Sequence, residues 1–196
     1  IALTVELADL CEGRGIPREK IRVIPNMISG PFSPPKSQLG KHPITIGGMG
    51  RLDQEKGFNY LLQAVAKLRT EGHAVKFRLG GKGFEEQKLR AQASDLGITE
   101  CVEFLGFVSD KRKFFESIDL FVIPSTEEPF GIVAIEAMKF GVPTIASEVG
   151  GLRSIYQHEQ NGLLVEVGNP TLLAGAIIRL GTDHVFARRL AEQANI

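Results

Sequence analysis

From residue 43 onward, short apolar runs take turns with stretches whose apolar residues recur at helical spacing. "ITIGGMG" (44–50) reads as a buried strand running into a glycine turn, and "YLLQAVAKLR" (60–69) as a helix. "AVKFRLGG" (74–81) is a strand ending in glycines, and "EEQKLRAQASDLG" (85–97) is a helix stopped by Gly97. A third strand is expected at "VEFLGFV" (102–108), a short helix at "KRKFFESI" (111–118) and a fourth strand at "LFVIPS" (120–125). "FGIVAIEAMKFG" (130–141) is a helix closed by Gly141, with Pro129 suited to its first turn. "PTIAS" (143–147) and "GLLVEV" (162–167) are two further strands, and "TLLAGAIIRLGTD" (171–183) starts a helix at about Pro170.

Strand–helix alternation of this kind predicts an α/β fold: a Rossmann-like, doubly wound parallel sheet with helices on both faces. The near-continuous apolar strands agree, because parallel strands are buried on both sides. Ligands of such sheets bind beyond the carboxyl ends of the strands. There this chain carries Gly47, Gly48, Gly50, Gly80, Gly81, Gly83 and Gly106. Glycines in those places serve either close ligand approach or tight strand-to-helix turns.

Residues 1–42 differ. "IALTVELADLCEGRGI" (1–16) reads as a helix, "KIRVIPN" (20–26) as a strand, and "SGPFSPPKSQLGKHP" (29–43) as a Pro/Gly/Ser-rich linker. The expected organisation is therefore 1–28 as the tail of a preceding domain, 29–43 as linker and 44–196 as the main domain. A start at Ile1 and an end inside the helical "RRLAEQANI" give the look of a fragment.

Composition narrows the function classes. The 23 basic and 23 acidic residues cancel, and the densest basic run, "DKRKFF" (110–115), is short, so a nucleic-acid partner is not expected. Cys11 and Cys101 lie far apart and His42, His73, His158 and His184 are scattered, which offers no metal-binding spacing. No apolar run reaches membrane-spanning length and no signal peptide is visible, so a cytoplasmic protein is expected, peripheral to a membrane at most in its full-length form.

Phosphate motifs nearly occur. Gly48 and Gly50 offer G-x-G, but Asp53 stands where the dinucleotide fingerprint needs its third glycine, and no P-loop is present. Arg51 and Lys56 follow the first strand's glycine turn. They read either as a solvated face or as a diphosphate pair, Arg as a planar donor fork and Lys as a point charge. The amides of Phe130, Gly131 and Ile132, at the start of the expected helix, would sit at the positive end of its dipole, which attracts phosphate.

Two carboxylates bracket that turn, Glu128 and Glu136. Eight helical residues would separate them by about 10–12 Å, against the ~5 Å of a retaining glycosidase pair. They suit two grips on one extended ligand, Glu136 accepting from a ribose diol and Glu128 facing a sugar. The plainer readings are dipole stabilisation for Glu128 and a solvated face for Glu136. Glu136, however, sits amid "GIVAIEAM", where a charge needs a partner.

Taken in order, "KIRVIPN", "GGMGRLDQEKGFNYLLQAVAKLR", "FRLGGKG", "VEFLGFVSD", "DLFVIPSTEEPFGIVAIEAMKFGVPTIASEVGGLRSI" and "NGLLVEVGNP" resemble the carboxyl-terminal, nucleotide-sugar-binding half of retaining glycosyltransferases of the GT-B fold. The pattern is that of family 4 (glycosyl transferases group 1), with its E-x7-E spacing around "PFG" and the Arg and Lys of "GRLDQEKG". The resemblance implies a hexosyltransferase-type enzyme of carbohydrate biosynthesis, acting with retention, with a nucleoside-diphosphate sugar as donor and neither a metal nor another cofactor. It implies that Arg51 and Lys56 stabilise the leaving diphosphate and Glu128 contacts the donor sugar. The amides of Phe130, Gly131 and Ile132 would cradle phosphate, Glu136 would hold ribose, Phe107 and Val108 would border the base, and Gly50, Gly80 and Gly83 would line the cleft. The acceptor, a sugar, lipid or small molecule, would be met by an amino-terminal domain that this chain lacks, leaving half an active site. Where the family continues Gly-Val-Asp after "VIPN", this chain has "MISG". A non-catalytic nucleotide-sugar-binding or regulatory module is the alternative. An epimerase on the same fold conflicts with the E-x7-E pattern.

Overall fold

A computed structural model describes residues 1–35 and 43–194. Six parallel strands form one sheet: β1 (Ile44–Met49), β2 (Val75–Gly80), β3 (Val102–Gly106), β4 (Leu120–Ile123), β5 (Thr144–Ser147) and β6 (Leu163–Val165). Their spatial order is β3-β2-β1-β4-β5-β6. The chain thus builds outward from β1 to β3, returns to the centre and builds outward again, which is the doubly wound topology expected from the sequence. β4 is tied to β1 at both main chain and side chain: Asp119 N donates to Thr45 O (2.7 Å), and Thr45 N donates to Asp119 Oδ2 (2.7 Å).

Period-two alternation sorts the strand side chains onto two faces. Ile44, Ile46, Leu120, Val122, Ile145 and Leu163 point to one core, covered by α2 (Phe58–Thr70), α3 (Glu86–Asp95), α7 (Pro170–Thr182) and α8 (His184–Gln193). Phe121, Ile123 and Ala146 point to the other, covered by α4 (Lys111–Glu116), α5 (Ile132–Lys139) and α6 (Leu152–Ile155). Edge-to-face contacts of Phe115 with Phe114 and Phe121, and a stack of Phe115 on Phe140, fix α4 and the end of α5 against the sheet.

The amino-terminal helix α1 (Val5–Gly13) is capped by Thr4, whose Oγ1 accepts from Leu7 N (3.1 Å). It is held to α6 by the Ser154 hydroxyl donating to the Glu6 carboxylate at 2.8 and 3.0 Å. "KIRVIPN" is not a strand. A 3₁₀ turn occupies Arg18–Lys20, and Val23 makes a single bridge to Ala2. The β-branched residues favour extended backbone there, but the main sheet does not reach the segment. The described part of the expected linker, 29–35, has no regular structure and packs on the end of α5 through Ser33 N to Lys139 O (2.7 Å). Residues 36–42 of that linker lie outside the described residues.

Helix α5 also departs from the expectation: it begins at Ile132, not at 130, and Pro129 precedes it. Gly131 is its N-cap in the left-handed region (φ 95°), which separates the "EEPF" loop from the helix.

Candidate functional site

The strand order reverses between β1 and β4, and the cleft lies outside their carboxyl ends. One compartment, about 180 Å³, is lined by Gly50, Arg51, Lys56, Ser125, Glu128 and Ile132, among others. A second, about 320 Å³, shares Met49, Gly50, Arg51 and Val133 with the first and adds Gly81, Lys82, Phe107, Val108 and Lys111.

Two loops meet in the first compartment. Thr126 N donates to Glu55 O (2.8 Å), joining the β4–α5 loop to the β1–α2 loop. At Gly57 (φ +63°) an added Cβ would stand 2.0 Å from Pro124 O, so the backbones approach as closely as only glycine permits. That approach sets Lys56 Nζ 2.7 Å from Glu128 Oε2, in a pair only 21% and 9% exposed. Ser125 Oγ donates to the same oxygen at 3.3 Å. The main chain of Glu128 is fixed from the far side by Gly151 N, which donates to Glu128 O (2.8 Å).

Arg51 stands at the mouth. It is 70% exposed and held by two carboxylates, Asp53 in close contact and Glu55 at 3.9 Å. Exposed pairs of this kind contribute at most about 1 kcal/mol, so an incoming anion can compete for the guanidinium. Because α5 begins at Ile132 and Ala134 N already donates to Gly131 O, the amides without an intrahelical carbonyl are those of Gly131, Ile132 and Val133, one residue later than the sequence expectation. Ile132 and Val133 both line the first compartment. Phe130 is buried ahead of the helix and is outside its first turn.

Glu136 lies one turn beyond Ile132 and Val133 and is 14% exposed. Lys111 Nζ contacts its Oε1 at 2.5 Å, while its Oε2 is closed from water and has no partner among the described residues. An unsatisfied buried acceptor of this sort costs about 1–3 kcal/mol. The apolar setting of Glu136 did demand a partner, and Lys111 is it.

Phe107, 75% exposed, and Val108 line the second compartment. Gly50 lines both compartments. Gly80 and Gly83 do not line them. A Cβ on Gly80 would meet Val108 Cγ2 at 2.6 Å, and one on Gly83 would meet Leu52 O at 2.1 Å, so both serve close packing behind the wall. Gly81 and Lys82 take the lining positions instead. Sequence reasoning also missed Ser125, Lys111 and the Gly150–Gly151 turn under Glu128. The consecutive glycines in "EVGGL" were the available signal for that turn.

The fold and cleft define a doubly wound α/β protein whose switch point brings Arg51 and Lys56 together with Glu128. Within that class the chain belongs to the family Glycosyl transferases group 1, which it matches over residues 31–195. It is 40% identical over 148 residues to an uncharacterized glycosyltransferase of Methanocaldococcus jannaschii, covering 74% of this chain and 38% of the relative. It is 35% identical over 153 residues to the lipopolysaccharide core biosynthesis glycosyltransferase LpsE of Rhizobium meliloti, covering 78% of this chain and 44% of LpsE. Among solved structures, Anabaena HepE in complex with UDP-glucose superposes with a TM-score of 0.86 at 27% identity, over 99% of this chain and 57% of HepE. The chain thus spans between 38% and 57% of the length of these three proteins. Among the described residues no helix is long and apolar enough to cross a membrane.

Proposed function

We propose that this chain is the donor-binding half of a retaining glycosyltransferase, moving a sugar from a nucleoside-diphosphate sugar to an acceptor hydroxyl. The observation that carries this reading is the Lys56–Glu128 pair, set 2.7 Å apart in the switch-point cleft beside Arg51 and the first turn of α5. Arg51, Lys56 and the amides of Ile132 and Val133 meet the diphosphate. As the bond from the anomeric carbon to the diphosphate oxygen breaks, its electron pair goes to that oxygen, and these donors stabilise the charge in place. The reading requires no metal or other cofactor, because these groups supply the neutralising charge. Glu128, with its charge balanced by Lys56, accepts hydrogen bonds from sugar hydroxyls. Glu136 accepts from the ribose, and Phe107 and Val108 border the base. The complex of HepE with UDP-glucose supports the choice of donor class.

On this reading 1–28 belongs to an acceptor-binding domain, 29–43 is linker and 44–196 is the donor domain, so the acceptor pocket is completed by further chain. The two free cysteines, Cys11 and Cys101, suit the reducing cytosol. Calorimetry with UDP, GDP and ADP tests the donor site: one of them binds, and Arg51→Ala and Lys56→Ala each weaken that binding. No binding at millimolar nucleotide overturns the reading. Sugar transfer by these 196 residues alone would contradict the half-site part of it. In the full-length enzyme, the anomeric configuration of the product, read by NMR, tests retention.

A further inference from the structure

The basic run Lys111–Lys113 opens α4, at the end of a helix where the dipole disfavours cations. Asp110 offsets part of this by accepting from Lys113 N at 3.0 Å. Arg112 reaches one turn forward to Glu116 at 3.6 Å and lies over the Phe140 ring, 5.6 Å from its centroid. Lys111 turns toward the cleft. Its side chain lines the base-side compartment, and its ammonium contacts Glu136 Oε1. It therefore stands between Glu136 and that compartment.

A carboxylate beside a diphosphate repels it unless the carboxylate's charge is balanced. Two glutamates are balanced in the same way: Glu128, which lines the first compartment, by Lys56, and Glu136, which lies behind Lys111 and lines neither compartment, by Lys111. A carboxylate offers about four acceptor positions, so one ammonium leaves room for a diol. Glu136 Oε2 lacks a donor among the described residues but is closed from water, so a diol meets this carboxylate on the Oε1 side, beside the Lys111 ammonium.

We propose that Lys111 is a positioning residue that makes the cleft selective for ribose: it balances and orients Glu136 so that this carboxylate can accept from a ribose diol next to a diphosphate. The inference rests on the reading of Glu136 as the ribose ligand. Without Lys111, Glu136 is a mostly buried carboxylate whose charge nothing balances, and it turns away toward solvent. It is then a poorer double acceptor.

The test is calorimetry with UDP, GDP and ADP and their 2′,3′-dideoxy counterparts, on the parent, Glu136→Gln, Lys111→Met and Lys111→Arg. In the parent the preferred ribonucleotide should bind about tenfold tighter than its dideoxy form, and Glu136→Gln should reduce that preference. Lys111→Met should weaken the ribonucleotide by about tenfold and bring the ribo/dideoxy ratio close to one, and Lys111→Arg should restore both. Lys111→Met with the parent's ratio, or with tighter ribonucleotide binding, overturns the role of Lys111 while leaving Glu136 as the ribose ligand. A parent that binds no nucleotide or does not discriminate overturns the reading of Glu136, and this inference with it.

Discussion

Lys56 and Glu128 are 72 residues apart in sequence, yet Nζ and Oε2 stand 2.7 Å apart at the floor of the cleft. Their burial is intermediate between an exposed pair, worth up to about 1 kcal/mol, and a buried one, whose breaking costs about 3–5 kcal/mol. Lys56→Met should therefore destabilise the chain by about 2 kcal/mol, because it leaves Glu128 without its cation. The double variant Lys56→Met/Glu128→Gln should recover part of that loss, since it strands neither charge, while still failing to bind a nucleotide sugar. Urea unfolding in a double-mutant cycle measures the coupling. A coupling near zero would mean that the pair contributes nothing to the fold.

The proximity of the pair depends on Gly57. Left-handed backbone and a Cβ 2.0 Å from Pro124 O make Gly57→Ala strained on two counts. A loss of more than about 2 kcal/mol is expected, with nucleotide binding lost as Lys56 moves. Gly50→Ala is the contrast. A Cβ at Gly50 comes no nearer than 3.7 Å to its surroundings, so stability should change by no more than about 0.5 kcal/mol. The added methyl nevertheless narrows both compartments and should weaken binding. Thermal melts paired with calorimetry separate the two, and a Gly57→Ala melt like the parent's would show that the loops simply give way.

These relationships mark the limit of what the sequence made legible. Apolar periodicity placed every strand of the main sheet, because Ile44–Met49 and Leu120–Ile123 are each read through their own neighbours. It failed at "KIRVIPN", whose residues look like a strand but, among the described residues, pair only with Ala2. It started α5 two residues early, because Gly131 could equally have opened the helix or, as it does, preceded it in left-handed backbone. Arg51, Lys56, Glu128 and Glu136 were visible as chemistry. Their pairing was not, since Glu136 meets a lysine 25 residues away that belongs to a different helix.

The docking of α1 carries a pH dependence. The Glu6 carboxyl is held below its ordinary value of 4.5, first by its own main-chain amide and then by the Ser154 hydroxyl. A depressed folded value means that the contribution is complete above the unfolded value and is lost as pH falls through the folded one. Glu6→Gln should thus melt slightly below the parent at pH 7, and the difference should shrink as pH is taken below about 4. The effect is small because Glu6 is exposed. A gap that widens toward acid would reverse the sign and refute the contribution.

Phe107 tests how the base is held. Three-quarters of its surface is open to solvent, so the ring contributes little to the core, and Phe107→Ala should alter stability by no more than about 0.5 kcal/mol. The ring nevertheless lines the second compartment together with Lys111 and Val133, where an aromatic face can stack on a planar base. Stacking of this type is worth about 1–3 kcal/mol per base, so the variant should bind its preferred nucleoside diphosphate at least about tenfold more weakly. Free diphosphate should bind it as it binds the parent, because Arg51, Lys56 and the first turn of α5 are untouched. If the nucleotide loses nothing, the base is held by the main chain of 106–109 and not by the ring. Equal losses for nucleotide and free diphosphate would instead mean that the variant had disturbed the cleft as a whole.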